Sequence, residues 1–429
     1  MTQTKFRVAI VSLGFNESRR GGGIGGLVCA AALSKASDIE VHIYEAARQF
    51  GEIGAGIGMY PRVWKADAPE GLDFHETKDA GVFRSFHRAE LQQAILKSIP
   101  PACKMHLIKR LVSFDEPENL EYPVTLTFED GTTAACDLLI GADGIKSVVR
   151  ASLFRKWAEE AAEGKQDVAE TLLKHVDPVW TGVLAYRCVI PRERLEAQAP
   201  NHRVFQMPLV RVVTYCVSKG RLVNAVFMFT RPELEGSKCD GPTVASVSKE
   251  EVLDRFQGLE KDVVDLLHCI DNPMRWAIHA LNPLPSFVSK RVVLLGDAAH
   301  AMTPNQGSGA GQAIEDAYVL SSMLTHQLCT KATIPDVLSI YDCIRRPLAN
   351  MVLENSRSIG ILWDFNLPGF TDEDVMARGE DGKYQPNMDI LKQMGRKADE
   401  LQEWIWKKPA QAERNQAIEM LESLPALAS

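Results

Sequence analysis

The sequence holds no long apolar run. Nowhere do the roughly 18 consecutive apolar residues of a membrane helix occur, so no integral membrane segment is expected. Residues 1–5 are polar and the apolar run behind them is too short for a signal peptide. Leu424–Ser429 carries no peroxisomal or prenylation signal, so the expected location is cytoplasmic. Patterned cysteine is missing too. The nine cysteines, at 29, 103, 136, 188, 216, 239, 269, 329 and 343, form no C-x-x-C pair, and none has a histidine at zinc spacing. An odd, scattered set in a long chain points to reduced thiols and no metal. Clustered positive charge is also absent. The net charge is -8, which argues against nucleic acid as the main partner. There is no internal repeat or low-complexity tract. What remains is 429 residues, 45% hydrophobic and 24% charged, an ordinary globular composition with room for about two or three domains.

The densest signal lies between Arg7 and Ala46. An apolar run, Val8–Val11, is followed by Gly21-Gly22-Gly23-Ile24-Gly25-Gly26, which satisfies G-x-G-x-x-G. A small-residue helix from Leu27 to Lys35 comes next, then a strand from Ile39 to Tyr44 that ends at Glu45, nineteen residues after Gly26. Each part has a physical task in a Rossmann-like dinucleotide site. Gly21 permits the tight turn, Gly23 lets the backbone approach a pyrophosphate, and Gly26 lets helix pack on strand. Glu45 takes a ribose hydroxyl pair, while the helix N-terminus offers N–H groups and a favourable dipole to the phosphates. One feature departs from the pattern: Ser12–Arg20 intervenes between strand and glycines. Being polar and aperiodic, it should bulge as a loop.

Farther along, Gly51–Gly58 is a second glycine-rich loop, suited either to a flat ligand or to a simple turn. Phe86–Leu91 starts a helix. Leu107–Phe114 and Val124–Phe128 read as strands, with Glu129-Asp130-Gly131 as a hairpin turn. Residues 151–178 read as helical. From Trp180 the texture changes to strands at Val183–Ile190, Val210–Val217 and Leu222–Phe229, followed by one charged helix from Lys249 to Leu267. A buried strand, Arg291–Leu295, precedes helices from Gly309 and from Pro335 to Ile359. These textures divide the chain into 1–179 and 287–362 as one domain, 180–286 as a second, mainly β domain inserted into it, and 363–429 as a helical tail. Asp143-Gly144 and Gly296-Asp297 each follow a buried strand, at the sheet edge where α/β folds bind ligands. Asp297 suits a sugar-like hydroxyl chain or, equally, a helix cap. Behind it, Pro304–Gly311 leads into a helix whose free N–H groups would stabilise negative charge.

GGGIGG at 21–26, Glu45, Arg88, ADG at 142–144, GDAAH at 296–300 and QGSGAGQAIEDA at 306–317 resemble the FAD-dependent aromatic hydroxylases, the single-component flavin monooxygenases, over most of the chain. GDAAHAMTPNQGSGAGQAIEDAYVL and ENSRSIG are most similar to fungal salicylate hydroxylase-type enzymes. The resemblance implies an α/β chain: a Rossmann-like FAD-binding domain, an inserted substrate domain and a helical C-terminal tail. Gly21, Gly23 and Gly26 would hold the FAD pyrophosphate, Glu45 the adenosine ribose, and Arg88 the ribityl–phosphate region, where a guanidinium suits the anion. Asp143 and Gly58 would border the cofactor. Gly296 and Asp297 would hold the ribityl chain, with Gly309 and Ala310 against the pyrimidine edge. NADH or NADPH would act as transient co-substrate and O2 would supply a hydroxyl to an activated phenol. Only one G-x-G-x-x-G is present, as the resemblance requires.

On the substrate side, Arg187 could orient substrate or flavin, or form an ion pair. Tyr215 could help activate a phenol by hydrogen bonding, or pack in the sheet. Gln306 is a further substrate candidate, and His300 reads as structural. With salicylate as substrate, the products would be catechol and carbon dioxide. The expected partners are a small aromatic substrate, O2 and NAD(P)H, with the protein a monomer or homodimer. A flavoprotein with impaired activity and another flavin enzyme of the same fold, such as an epoxidase, stay open as alternatives. Three departures from the family stand out. They are the Ser12–Arg20 insertion, the short junction from Trp64 to Pro69, where members continue through a further helix and strand, and the short Pro208–Arg211 segment.

Overall fold

A computed structural model describes residues 4–12, 20–21, 23–50, 56–59, 84–162, 164–205, 212–257, 259, 261–378, 384–407 and 409–424. Residues 13–19, most of the 51–83 stretch and 206–211 lie outside these, and with them all three departures. In chain order come β1 (Phe6–Ser12), α1 (Ile24–Leu33), β2 (Ile39–Glu45), α2 (Arg88–Ser98) and β3 (Lys104–Leu107). A three-stranded antiparallel sheet of Leu111–Asp115, Val124–Phe128 and Thr133–Cys136 leads to β4 (Leu138–Ala142) and α3 (Val148–Ala162). Strands β5 (Val179–Pro191), β6 (Val212–Val217), β7 (Leu222–Thr230), β8 (Met274–Ala280) and β9 (Val292–Leu294) follow. Helices α4 (Gly309–Leu324), α5 (Ile334–Trp363), α6 (Met388–Gln402) and α7 (Ala410–Glu422) come last.

The first sheet is parallel, in the order β9-β4-β1-β2-β3. Val8 to Val11 and Leu138 to Ile140 are buried, as strands covered on both faces must be. The sheet grows one way from β1 through β2 and the other way through β4. A crevice therefore opens where the crossovers diverge, beyond the strand C-termini. The register puts Ser12 level with both Glu45 and Ala142, so the ends of three neighbouring strands meet there.

The second sheet is antiparallel, with β6-β7-β5-β8 edged by Val244–Ser246. Alternation sorts its faces. Tyr186, Cys188 and Ile190 of β5 join Val223, Ala225 and Phe227 of β7 in a core with Val252, Leu266 and Leu267 from two covering helices. The intervening residues, Arg187 among them, point to the other face.

Several elements differ from the sequence reading. The tail read as helical contains an antiparallel pair, Met376–Arg378 with Tyr384–Pro386, and the helix read from Phe86 starts at Arg88, after a strand over Arg84–His87. Leu107–Phe114 is not one strand. Ile108 turns to φ 59, so β3 ends at Leu107 in the parallel sheet and a new strand starts at Leu111 in the antiparallel one. The single helix expected over Lys249–Leu267 is two, Lys249–Arg255 and Lys261–Cys269, and the sequence between them carries Gly258, a poor helix residue. None of the nine cysteines forms a disulfide. Among the described residues no helix is long and apolar enough to cross a membrane.

Candidate cofactor site

The glycine loop closes back on the strand it left. Gly23 N–H donates to Ser12 Oγ at 3.1 Å, across the whole insertion. Arg20–Gly21 pairs in parallel with Gln49–Phe50, beyond the β1 and β2 ends. The N-cap of α1 is Gly23, with no side-chain cap and no acidic residue in the first turn, so its N–H groups face outward for an anion. A Cβ on Gly26 would stand 3.1 Å from Ala142 Cβ and 3.4 Å from Ile10 Cγ2, so this glycine does bring the helix onto the sheet. Gly25 has a task the motif did not assign. Its Cβ would stand 2.5 Å from Leu295 Cδ2 and 3.0 Å from Ala313 Cβ, so it brings α1 against α4. Glu45 ends β2 fully buried, and its Oε1 accepts from Ala47 N–H at 2.9 Å.

The two aspartates at the sheet edge have different surroundings. Asp143 is buried and its carboxylate is spent on α3: it accepts from Ser147 Oγ at 2.5 Å, Val148 N–H at 2.7 Å and Val149 N–H at 3.1 Å. The side chain expected to border the cofactor is therefore occupied as a helix cap, and only the backbone of Ala142–Gly144 is left to approach a ligand. Asp297 is half-buried and its carboxylate engages no other described residue. It follows Gly296, whose φ of 63 turns the chain sharply out of β9.

Behind Asp297, Pro304–Gln306 forms one short turn and Gly307 adopts φ 63 before α4 begins at Gly309. The α4 N-terminus has no side-chain cap and no acid in its first turn. Among the described residues, a Cβ on Gly307 would meet nothing within 4 Å and one on Gly309 only Met302 Cγ at 3.9 Å, and Gly309 and Ala310 are half-buried. Gln306 is buried. Its Nε2 donates to Leu401 O at 3.0 Å, which fixes the amide, while its Oε1 has no partner among the described residues.

The remaining candidates converge from neighbouring elements. Gly56–Met59 pairs with Arg84–His87, with Gly58 opposite Ser85, and lies against α4. Arg84–His87 in turn lies against β6. Arg88 is half-buried as the first residue of α2. Ser218 Oγ at the end of β6 donates to Glu90 Oε1 at 2.8 Å, which fastens the second sheet to α2. On that sheet the Arg187 guanidinium stands 5.3 Å from the Trp276 ring centroid. Burial pushes the Tyr215 phenol up to about 12, against the opposing pull of Arg187, so it is a donor at neutral pH.

Sequence reasoning missed the buried charges behind the site. Arg150 gives hydrogen bonds to the carbonyls of Ile145, His175, Val176 and Ala298, tying α3 to the Asp297 helix. His300, read as structural, pairs with Asp316 at 2.6 Å, and Arg345 bonds Asp316 at 2.9 Å and Glu315 at 3.1 Å. The available signal was Gln312, Glu315 and Asp316 at helical spacing inside an apolar helix. Among the described residues no group of His, Cys, Asp and Glu could hold a metal.

Known proteins resolve which dinucleotide such a site takes. The FAD binding domain family matches residues 239–356, and the NAD(P)-binding Rossmann-like domain family matches residues 21–57. A salicylate hydroxylase of Pseudomonas putida is 34% identical, covering 84% of this chain and 86% of its own. The chain belongs to the FAD-dependent aromatic hydroxylases. The FAD-dependent monooxygenase str9 of Strobilurus tenacellus is 31% identical over 97% of this chain and 98% of its own. That alignment runs to 480 positions, more than the 429 residues here, so the relative carries segments without counterparts in this chain. A solved salicylate hydroxylase substrate complex superposes with a TM-score of 0.75 at 30% identity, covering 99% of this chain and 100% of the other.

The residues present fit FAD. Two uncapped helix N-termini suit a pyrophosphate and an electron-rich ring edge, the buried Glu45 suits a ribose, and the Asp297 carboxylate suits a polyol chain. The unpartnered buried Gln306 Oε1 is an acceptor waiting for a donor.

Proposed function

We propose that this flavin monooxygenase uses NAD(P)H and O2 to hydroxylate a salicylate-like phenolic acid at the carboxylate-bearing carbon, releasing catechol and carbon dioxide. One observation carries the cofactor half: the Asp297 carboxylate stands at the sheet edge without a described partner, beside the open N-terminus of α4. Relatives named salicylate hydroxylase, one of them the solved substrate complex, support the substrate class.

FAD, when bound, would supply the chemistry that passes electrons from NAD(P)H to O2 and activates the oxygen. This chain's residues orient and exclude. Gly21 and Gly23 hold the pyrophosphate at the α1 N-terminus, Glu45 the ribose and Arg88 the phosphate side. Asp297 accepts from the ribityl hydroxyls, and the α4 N-terminus at Gly309 and Ala310 stabilises negative charge as it develops. Arg187, whose guanidinium lies over the Trp276 ring, faces the substrate carboxylate. Tyr215, protonated at working pH, donates to the phenol oxygen, and Gln306 Oε1 accepts from a ligand hydroxyl or N–H. One oxygen atom enters the ring and the other leaves as water. The carboxylate departs as carbon dioxide and leaves its bonding pair on the ring.

The test is NAD(P)H oxidation by the purified, FAD-loaded protein with and without salicylate, with catechol measured at the end. Oxidation stimulated by salicylate and matched by catechol supports the reading. Stimulation without catechol, or catechol below the NAD(P)H consumed by more than tenfold, overturns the substrate assignment.

A further inference from the structure

We infer that Asp316 of α4 is a positioning residue that presets the Gly296–Asp297 turn, with His300 and Arg345 clamping its carboxylate. The inference rests on the reading that Asp297 lines the cofactor and goes beyond it, to a residue that touches no ligand.

Gly296 leaves β9 at φ 63 and ψ -139, and its backbone N–H is taken out of the sheet ladder. That N–H donates to Asp316 Oδ2 at 3.0 Å, from twenty residues along the chain. The same oxygen receives His300 Nε2 at 2.6 Å, and Oδ1 receives Arg345 Nε at 2.9 Å. Arg345 is itself immobilised, bonding Gln312 Oε1 at 2.7 Å, Glu315 Oε2 at 3.1 Å and, from the tail helix α7, Glu413 Oε2 at 2.5 Å. Asp316, His300 and Arg345 are all fully buried.

An N–H at the mouth of a ligand crevice could be satisfied by water and left to swing. Here it is held by a carboxylate whose every oxygen is already engaged, a charge-assisted bond that is stronger than a neutral one. Buried ion pairs are poor sources of net stability, because desolvation offsets the attraction. Their usual return is a fixed geometry, and what this one fixes is the backbone that aims Asp297. A Cβ on Gly296 would stand 3.1 Å from Ala313 Cβ, so the turn is also pressed against α4 one helical turn from Asp316. A carboxylate held in place before the polyol arrives loses no freedom on binding.

Three chains test this: the wild type, Asp297→Ala and Asp316→Asn. Each is stripped of FAD and titrated with it, following flavin fluorescence, and the melting temperature of each apo-protein is recorded. An asparagine cannot present an acceptor to both Gly296 and Arg345, so Asp316→Asn should weaken FAD binding at least tenfold. A purely structural Asp316 would lower the melting temperature and leave FAD affinity within twofold, which overturns the inference. Asp297→Ala separates the two layers, since wild-type FAD affinity there sinks the site reading itself. Should Asp316→Asn fail to fold, hydrogen exchange of the wild-type apo-protein decides the matter. The Gly296 amide should exchange slowly before FAD is added, and fast exchange that slows only with FAD contradicts presetting.

Discussion

Asp143 and Asp297 end neighbouring parallel strands, β4 and β9, yet their carboxylates do different work. Asp143 caps α3 with both oxygens, while Asp297 has no described partner. Asp143→Ala should therefore cost about 0.5–2 kcal/mol of stability, the usual worth of a cap, and leave FAD affinity nearly unchanged. The check is a denaturant melt of the apo-protein beside a flavin titration. Tyr215→Phe removes the donor proposed to meet the phenol oxygen. At about 1 kcal/mol for a hydrogen bond, kcat/KM for salicylate should fall roughly five- to tenfold with the melting temperature preserved. Asp316 supplies a pH signature. Burial pushes its carboxyl up, but the charges of His300 and Arg345 outweigh that and hold it near 2, below the ordinary 3.8. A depressed folded-state value means its contribution is complete above the unfolded value and lost as pH falls from about 4 through about 2. Acid titration of the apo-protein should show this loss, and Asp316→Asn should flatten that part of the stability profile.

At the scale of elements, two close approaches set how the helices meet. Gly25→Ala would force a Cβ into Leu295 and Ala313, separating α1 from α4. Overpacking of this kind costs about 1–3 kcal/mol, to be read as a lower melting temperature together with weaker FAD binding. Gly360 of α5 faces Asn305, whose Cγ would stand 2.9 Å from an added Cβ, and Asn305 bonds Ser356 O at 3.0 Å. Gly360→Ala should thus displace the turn before α4 without touching the cofactor. The elements themselves were largely legible. Val8–Val11, Ile39–Tyr44 and Leu222–Phe229 read as strands because burial and alternation are written into local composition. The break at Ile108 was not, because an apolar residue at positive φ leaves no trace in periodicity. The task of Gly25 was not legible either, since its contacts, Leu295 and Ala313, lie far along the chain. Arg345 and Glu413 were invisible for the same reason: only the folded chain brings α5 and α7 to the back of the Gly296 turn.

For the molecule as a whole, the parallel sheet brings the ends of β1, β2 and β4 together, and the antiparallel sheet, which carries Arg187 and Tyr215, is fastened to α2 through Ser218 and Glu90. Gly23 bonds Ser12 from the far side of the polar Ser12–Arg20 segment, which ties the glycine loop to the end of β1. The chain nevertheless lacks segments that str9 carries. Whether the site forms with the residues present is therefore a question apart from turnover. It is tested most directly by titrating the purified apo-protein with FAD and following the quenching of flavin fluorescence. Saturable binding at one FAD per chain, yielding a yellow protein, is the expected result. A chain that stays colourless and gives no saturable quenching at any FAD concentration would contradict it.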